Sequence, residues 1–189
     1  MNQAVLVIDV QSCIFDAVPA PADSGVVIGN INCLTAWARA AHIPVIMVQH
    51  EQPDTPIAYQ SAGWQLQAGL QQAESDLLVR KTTPDSFLNT NLAELLAKQE
   101  IKELIVCGYA SEFCVDTTVR SAAARGFAVT IAADAHTTQD KAHAKGGFIR
   151  EHHNRTLSAI RSFGVPIQAL NTANIVGEMK SAASMGVAR

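Results

Sequence analysis

No run in this chain is both long and apolar enough to cross a membrane. The first apolar stretch, residues 4–10 (AVLVIDV), is cut by Asp9 and follows no basic leader, which disfavours a signal segment or a span there and predicts a cytoplasmic protein. Charge is sparse as well. Only 16% of residues are Asp, Glu, Lys or Arg, and a net charge of −3 leaves no basic stripe for nucleic acid or anionic lipid, so the expected partner is a small molecule. The four cysteines (13, 33, 107, 114) have no CxxC spacing, and the chain is too large to need disulfide staples, which points to a reducing compartment. Neither GxGxxG after the first strand nor GxxxxGK[ST] occurs, which disfavours dinucleotide and nucleotide-phosphate binding; no cofactor is expected.

What is present is an alternation of short apolar runs with amphipathic ones. Residues 4–10, 44–48, 77–80, 104–107, 127–132 and 166–170 read as strands buried on both faces, as in parallel sheets. Between them the pattern predicts helices over 24–41, with Ser24 as cap and Val27, Ile31, Leu34 and Ala38 on one face, and from Asn89 or Asn91 to 99. Two more are predicted over 114–126, closed by Gly126, and over 140–163. The 189 residues, 48% of them hydrophobic, suit a single domain. This is the signature of an α/β fold: a six-stranded parallel sheet between two helical layers over residues 1–170, then a short helix or tail over 171–189.

Three chemically competent side chains fall at the carboxyl ends of predicted strands, where open α/β sheets bind ligands. They are Asp9, Lys81 and Cys114. Cys114 follows the run LIVCG through a short polar segment and is expected in the first turn of a helix, whose N-terminus favours a thiolate and lowers the thiol pKa. Alone, it could equally be a small residue filling a strand-to-helix corner. Read together, the three form a nucleophilic unit: Asp9 accepts and returns the thiol proton, and Lys81 keeps the carboxylate ionised and favours the thiolate. His50 ends the second strand, but residues 49–63 supply no second His, so it reads as a pocket-wall hydrogen-bonding group or equally a solvated loop residue, and not as a metal ligand. Residues 52–76, with Trp64, read as a lid or pocket wall. The run 134–138 (DAHTT) reads as a helix cap, with His136 within reach of the site, and Cys33 reads as helix packing.

The segments LVIDVQ, VRKTTPDSF and above all GYASEFCVDTTVRSAAARG resemble the isochorismatase-like cysteine hydrolases, over about residues 4–170 and in the family's order. The resemblance implies a sheet of order 3-2-1-4-5-6, a triad of Asp9, Lys81 and Cys114, and a cis peptide at Tyr109–Ala110. It also implies an oxyanion hole made by the N–H groups of Ala110 and Cys114. Two departures refine it. Metal-dependent nicotinamidases carry Asp-x-His and a further His after the second strand, whereas this chain has Gln49, His50 and Glu51, so the expectation is no metal and no nicotinamidase activity. True isochorismatases cleave a vinyl ether without a cysteine nucleophile, so Cys114 points instead to hydrolysis of a small amide, ureide or lactam-like C–N bond through a thioester. Gln11, Phe15, His50, Trp64, Phe87, Tyr109 and Phe113 are candidate substrate contacts from their position beside the motifs. A homo-oligomer, dimer or tetramer, is expected. The rival readings are a non-catalytic binding protein of the same fold and a redox thiol protein pairing Cys114 with Cys13 or Cys107.

Overall fold

The structure is a computed structural model that describes residues 2–177. In chain order the elements are β1 (Gln3–Ile8), α1 (Ser12–Phe15), α2 (Ser24–Ala40), β2 (Val45–His50), β3 (Leu77–Lys81), α3 (Leu92–Lys98) and β4 (Glu103–Tyr109). A single π-helical turn, Ser111–Val115, then leads into α4 (Asp116–Ala124), β5 (Ala128–Thr137), α5 (Gly146–Ser158) and β6 (Ile167–Leu170). The six strands pair in parallel in the order β3-β2-β1-β4-β5-β6. Residues 172–177 are helical; the rest of the predicted tail, 178–189, lies outside the described residues.

Because side chains alternate across a strand, β1 divides its residues between two cores. Ala4, Leu6 and Ile8 pack with residues of α3, α4 and α5 such as Leu96, Val119 and Leu157. Val5 and Val7 pack against Val27, Ile31 and Leu34 of α2 on the other face. The three-layer architecture therefore follows from continuous apolar strands that bury both sides.

Several predicted boundaries move. Helix α2 starts after Asp23, which has φ 54° and makes no side-chain cap bond, so Ser24 is the first helical residue and not its cap. Asn91 precedes α3 without a side-chain cap bond; Thr90 Oγ1 accepts the Leu92 N–H instead. Helix α5 starts at 146 and not 140, because Asp140 folds back and accepts the Gly146 N–H at 2.9 Å, holding residues 140–145 outside the helix, and it ends at 158 and not 163. β5 runs on to Thr137, so His136 is in a strand and not in a cap.

The switch point lies between β1 and β4, whose neighbours depart in opposite directions. There Gly108 stands opposite Ile8 with φ 114°, and a Cβ on it would overlap the Ile8 carbonyl oxygen. Only glycine combines that backbone angle with so close an approach. Gly108→Ala is expected to lower stability by roughly 3 kcal/mol or more through backbone strain and overpacking. Urea unfolding measures the loss, and a change below about 1 kcal/mol would show that β4 can retreat from β1.

Candidate active site

Asp9 leaves β1 in the left-handed region at φ 53°, a conformation Asp tolerates better than bulky residues, with its N–H on the Val48 carbonyl at 2.8 Å. Lys81 ends β3, two strands away. Its stem crosses beneath the end of β2 and places Nζ 2.7 Å from Asp9 Oδ2 and 3.2 Å from Cys114 Sγ. The same ammonium reaches the Thr83 carbonyl and His50 Nδ1, each at 3.2 Å. Both charged side chains are sealed from solvent, Lys81 at 0% and Asp9 at 3% exposure. The second Asp9 oxygen, Oδ1, is buried without a hydrogen-bond partner among the described residues, which leaves it free to take a proton.

Cys114 lies in the π-helical turn before α4, not in the first turn of an α-helix as expected. The Ala110 carbonyl accepts the N–H groups of Phe113 and Val115 at 3.0 and 3.1 Å, and the Cys114 N–H between them is not bonded to it. A π turn thus withholds from the ladder the donor that an α turn would consume. The Tyr109–Ala110 peptide at its start is cis.

The expectation of a lowered thiol pKa is overturned. Burial, and then the Asp9 carboxylate, push Cys114 up to about 12, with Lys81 opposing them. Desolvation outweighs the favourable charges, so the resting site is a thiol beside an ion pair and not a stored thiolate. His50 is moved below its ordinary value by burial and by the Lys81 charge, so it stands neutral at pH 7.

A cavity of about 270 Å³ opens over these groups, lined by Asp9, Ile14, His50, Ile57, Pro84, Tyr109, Ala110, Phe113 and Cys114. His50, Tyr109 and Phe113 line it as read from sequence. The other four candidate contacts do not. Gln11 is fully buried and exchanges hydrogen bonds with the His50 backbone while donating to the Trp64 carbonyl. Phe15 is buried with its ring edge-on to Tyr109, Trp64 packs against Tyr59, and Phe87 stacks on Phe127. Gln11 and Trp64 thereby tie the 52–76 loop to the sheet edge. Sequence reading missed Ile14, Ile57 and Pro84, because it sought aromatic and polar types, whereas these walls are aliphatic. Phe113 also borders a second hollow of about 380 Å³ walled by Phe148, Ile149 and His152, which contains none of the three reactive groups.

Cys33 is exposed on α2 and not packed as read, whereas Cys107 is buried in β4, its thiol donating to the Leu6 carbonyl. All four cysteines are free. No group of three or more His, Cys, Asp or Glu among the described residues could hold a metal ion. Nor is any helix among them long and apolar enough to cross a membrane.

His136 is fully buried beneath the turn, bonded to Ser111 Oγ and Asn154 Oδ1 at 2.8 Å each. Burial lowers its pKa to about 4 from an ordinary 6.5; the Asn154 bond and Asp134 oppose the shift, and the charges of Arg150 and His153 add to it. The unfolded chain therefore binds the extra proton between those values. Stability is whole above about pH 6.5, falls as pH drops toward 4, and loses roughly 3 kcal/mol through this residue. Urea midpoints measured from pH 7.5 to 4.5 should fall more steeply for the wild type than for His136→Asn; parallel curves would show that His136 can be hydrated in place.

Comparison with known proteins identifies the family. The isochorismatase domain model matches residues 3–171. Streptothricin hydrolase of Streptomyces noursei is 37% identical over 145 residues, covering 76% of this chain and 58% of that protein. Nicotinamidase 3 of Arabidopsis thaliana is 28% identical, covering 82% and 78%. A solved isochorismatase family protein superposes with a TM-score of 0.82 at 33% identity, covering 90% of this chain and 98% of that one. Against the relatives at 36–37% identity the chain spans only 50–60% of their length. With three separated motifs, the sheet order and the family model in agreement, the chain belongs to the isochorismatase family.

Proposed function

We propose that the chain is a cysteine-dependent amidohydrolase that opens a small non-peptide C–N bond through a thioester on Cys114, without a metal. The observation that carries the reading is the single ammonium of Lys81 in contact with both a carboxylate and a thiol, two groups that line one cavity. Relatives named for hydrolysis, a streptothricin hydrolase and a nicotinamidase, support the reaction class.

The chemistry follows from the resting protonation. With the thiol held near 12, attack on the substrate carbonyl is coupled to loss of the Cys114 proton, and the unpartnered Asp9 Oδ1 receives it. Charge that develops on the carbonyl oxygen is met by the N–H groups of Cys114 and Ala110. The protonated Asp9 then gives its proton to the departing nitrogen, the C–N bond breaks, and the acyl group stays on sulfur. Water deprotonated by Asp9 attacks the thioester, the C–S bond breaks, and the thiol is regenerated as the acid leaves. Lys81 neutralises Asp9 throughout and holds carboxylate and sulfur in register. The cavity's size restricts the acyl portion to a compact group, with His50, Tyr109 and Phe113 as its polar and aromatic walls.

Turnover is tested on a library of small amides, ureides and lactams, with intact-protein mass spectrometry for the acyl adduct. Cys114→Ala should abolish turnover and the adduct while melting close to wild type, and Asp9→Asn should lose about 10²–10⁴-fold in rate. Wild-type turnover by Cys114→Ala would sink the assignment. Lys81→Ala strands a buried carboxylate, costs roughly 3–5 kcal/mol in stability, and shifts the alkylation profile of Cys114 to still higher pH. An unchanged profile would mean that Lys81 does not act on the thiol. Activity should also survive exhaustive chelation, and stoichiometric metal held at His50 would overturn the metal-free part of the reading.

A further inference from the structure

The buried histidine at the end of β5 takes no part in the mechanism above, yet its hydrogen bonds leave no freedom in their direction. Asn154 Nδ2 donates to the Ala133 carbonyl at 3.0 Å, so Asn154 presents Oδ1 to the imidazole. His136 Nε2 must therefore carry the proton and donate to it. Nδ1 is left as an acceptor, and the Ser111 hydroxyl donates to it at 2.8 Å. One directed chain thus runs from the nucleophile turn through β5 into α5, with Ser111 and His136 both fully buried. The next residue of the turn is held from the same strand end, by Thr138 Oγ1 donating to Glu112 Oε1 at 2.8 Å.

We propose that His136 is a positioning residue that keeps the Ser111–Val115 turn in its π register through Ser111, so that the Cys114 N–H stays available to an oxyanion. In the α register that N–H would bond the Ala110 carbonyl. The π register requires the first residue of the turn to be pinned while Val115 reaches back to Ala110. Ser111 is that first residue, and the His136 acceptor is the only side-chain partner of its hydroxyl among the described residues. The inference rests on the cysteine hydrolase reading and assigns His136 no contact with substrate.

Two reactions of the same sulfur separate positioning from general damage. Acylation by p-nitrophenyl acetate passes through an oxyanion; alkylation by iodoacetamide does not. In acylation the Cys114 proton goes to Asp9, the sulfur–carbonyl bond forms, the ester C–O bond breaks, and p-nitrophenolate departs. Its burst and the site-resolved alkylation rate are measured on the full chain at one pH. Ser111→Ala and His136→Gln, which lose the Ser111 bond, should acylate about 100-fold more slowly, the effect of losing one oxyanion donor, and alkylate at close to the wild-type rate. His136→Asn can offer its amide oxygen where Nδ1 stood, and should restore acylation toward wild type although it gives up the Asn154 bond.

Equal loss of both reactions in Ser111→Ala and His136→Gln, or wild-type acylation by either, overturns the proposal. So does an acylation defect in His136→Asn as large as that in His136→Gln, with melting curves showing both folded. If His136→Gln does not fold, Ser111→Ala, which removes a single hydroxyl, decides alone. Failure of the wild type to be acylated at Cys114 while it alkylates there would instead strike the nucleophile assignment, and this inference with it.

Discussion

Two buried charges, 2.7 Å apart and almost without solvent, set the terms for the rest of this molecule. Removing each from water costs several kcal/mol, recovered only if the partner and every remaining hydrogen-bonding position are in place. Around the Lys81 ammonium, the Thr83 carbonyl, His50 Nδ1 and the Cys114 sulfur join Asp9 Oδ2, four contacts in all. Strands lie about 4.8 Å apart, so β3 and β1, which flank β2, are separated by roughly 10 Å. A short cation on β3 could not close that gap; the four-carbon stem of lysine can. Sheet order, side-chain length and ion pair are thus one constraint seen at three scales.

The same burial decides the state of the sulfur. A helix N-terminus and a cation both favour a thiolate. Desolvation is the larger effect here, and the Asp9 carboxylate acts in the same direction. The consequence is mechanistic: a site that stores a thiolate needs no adjacent base, whereas a site that stores a thiol does. In the proposed mechanism the free oxygen of Asp9 supplies that base, so no histidine is called for beside the cysteine.

The fold was legible to the extent that it depends on apolar runs. Residues that alternate between two buried faces announce parallel strands, and all six appear, with the sheet order that the family resemblance implied. Boundaries set by single residues outside an element were not legible, as with the Asp140 side chain holding back the start of α5 or the left-handed backbone of Asp23 starting α2 at Ser24. In the site, the three reactive residues stood out because each is chemically costly at a strand end. The aliphatic walls Ile14, Ile57 and Pro84 carried no such mark, and Phe15, Trp64 and Phe87 lay near the motifs in sequence while packing elsewhere. His136 was noticed but misassigned, because the end of β5 was placed five residues early.

The nucleophile turn shows why so irregular a segment can sit inside so regular a sheet. An interruption of helical hydrogen bonding usually leaves a backbone acceptor short of a donor, and a buried one would be expensive. Here the Ala110 carbonyl receives two N–H groups instead of one, from Phe113 and Val115, so the acceptor is fully satisfied. The deficit is moved onto the donor side, to the Cys114 N–H at the cavity wall. A donor left out of the ladder there is tolerable where water or substrate can reach it, and in the proposed chemistry a carbonyl oxygen arriving to be attacked brings it an acceptor. The irregularity is therefore confined to the one atom at which the proposed chemistry requires it.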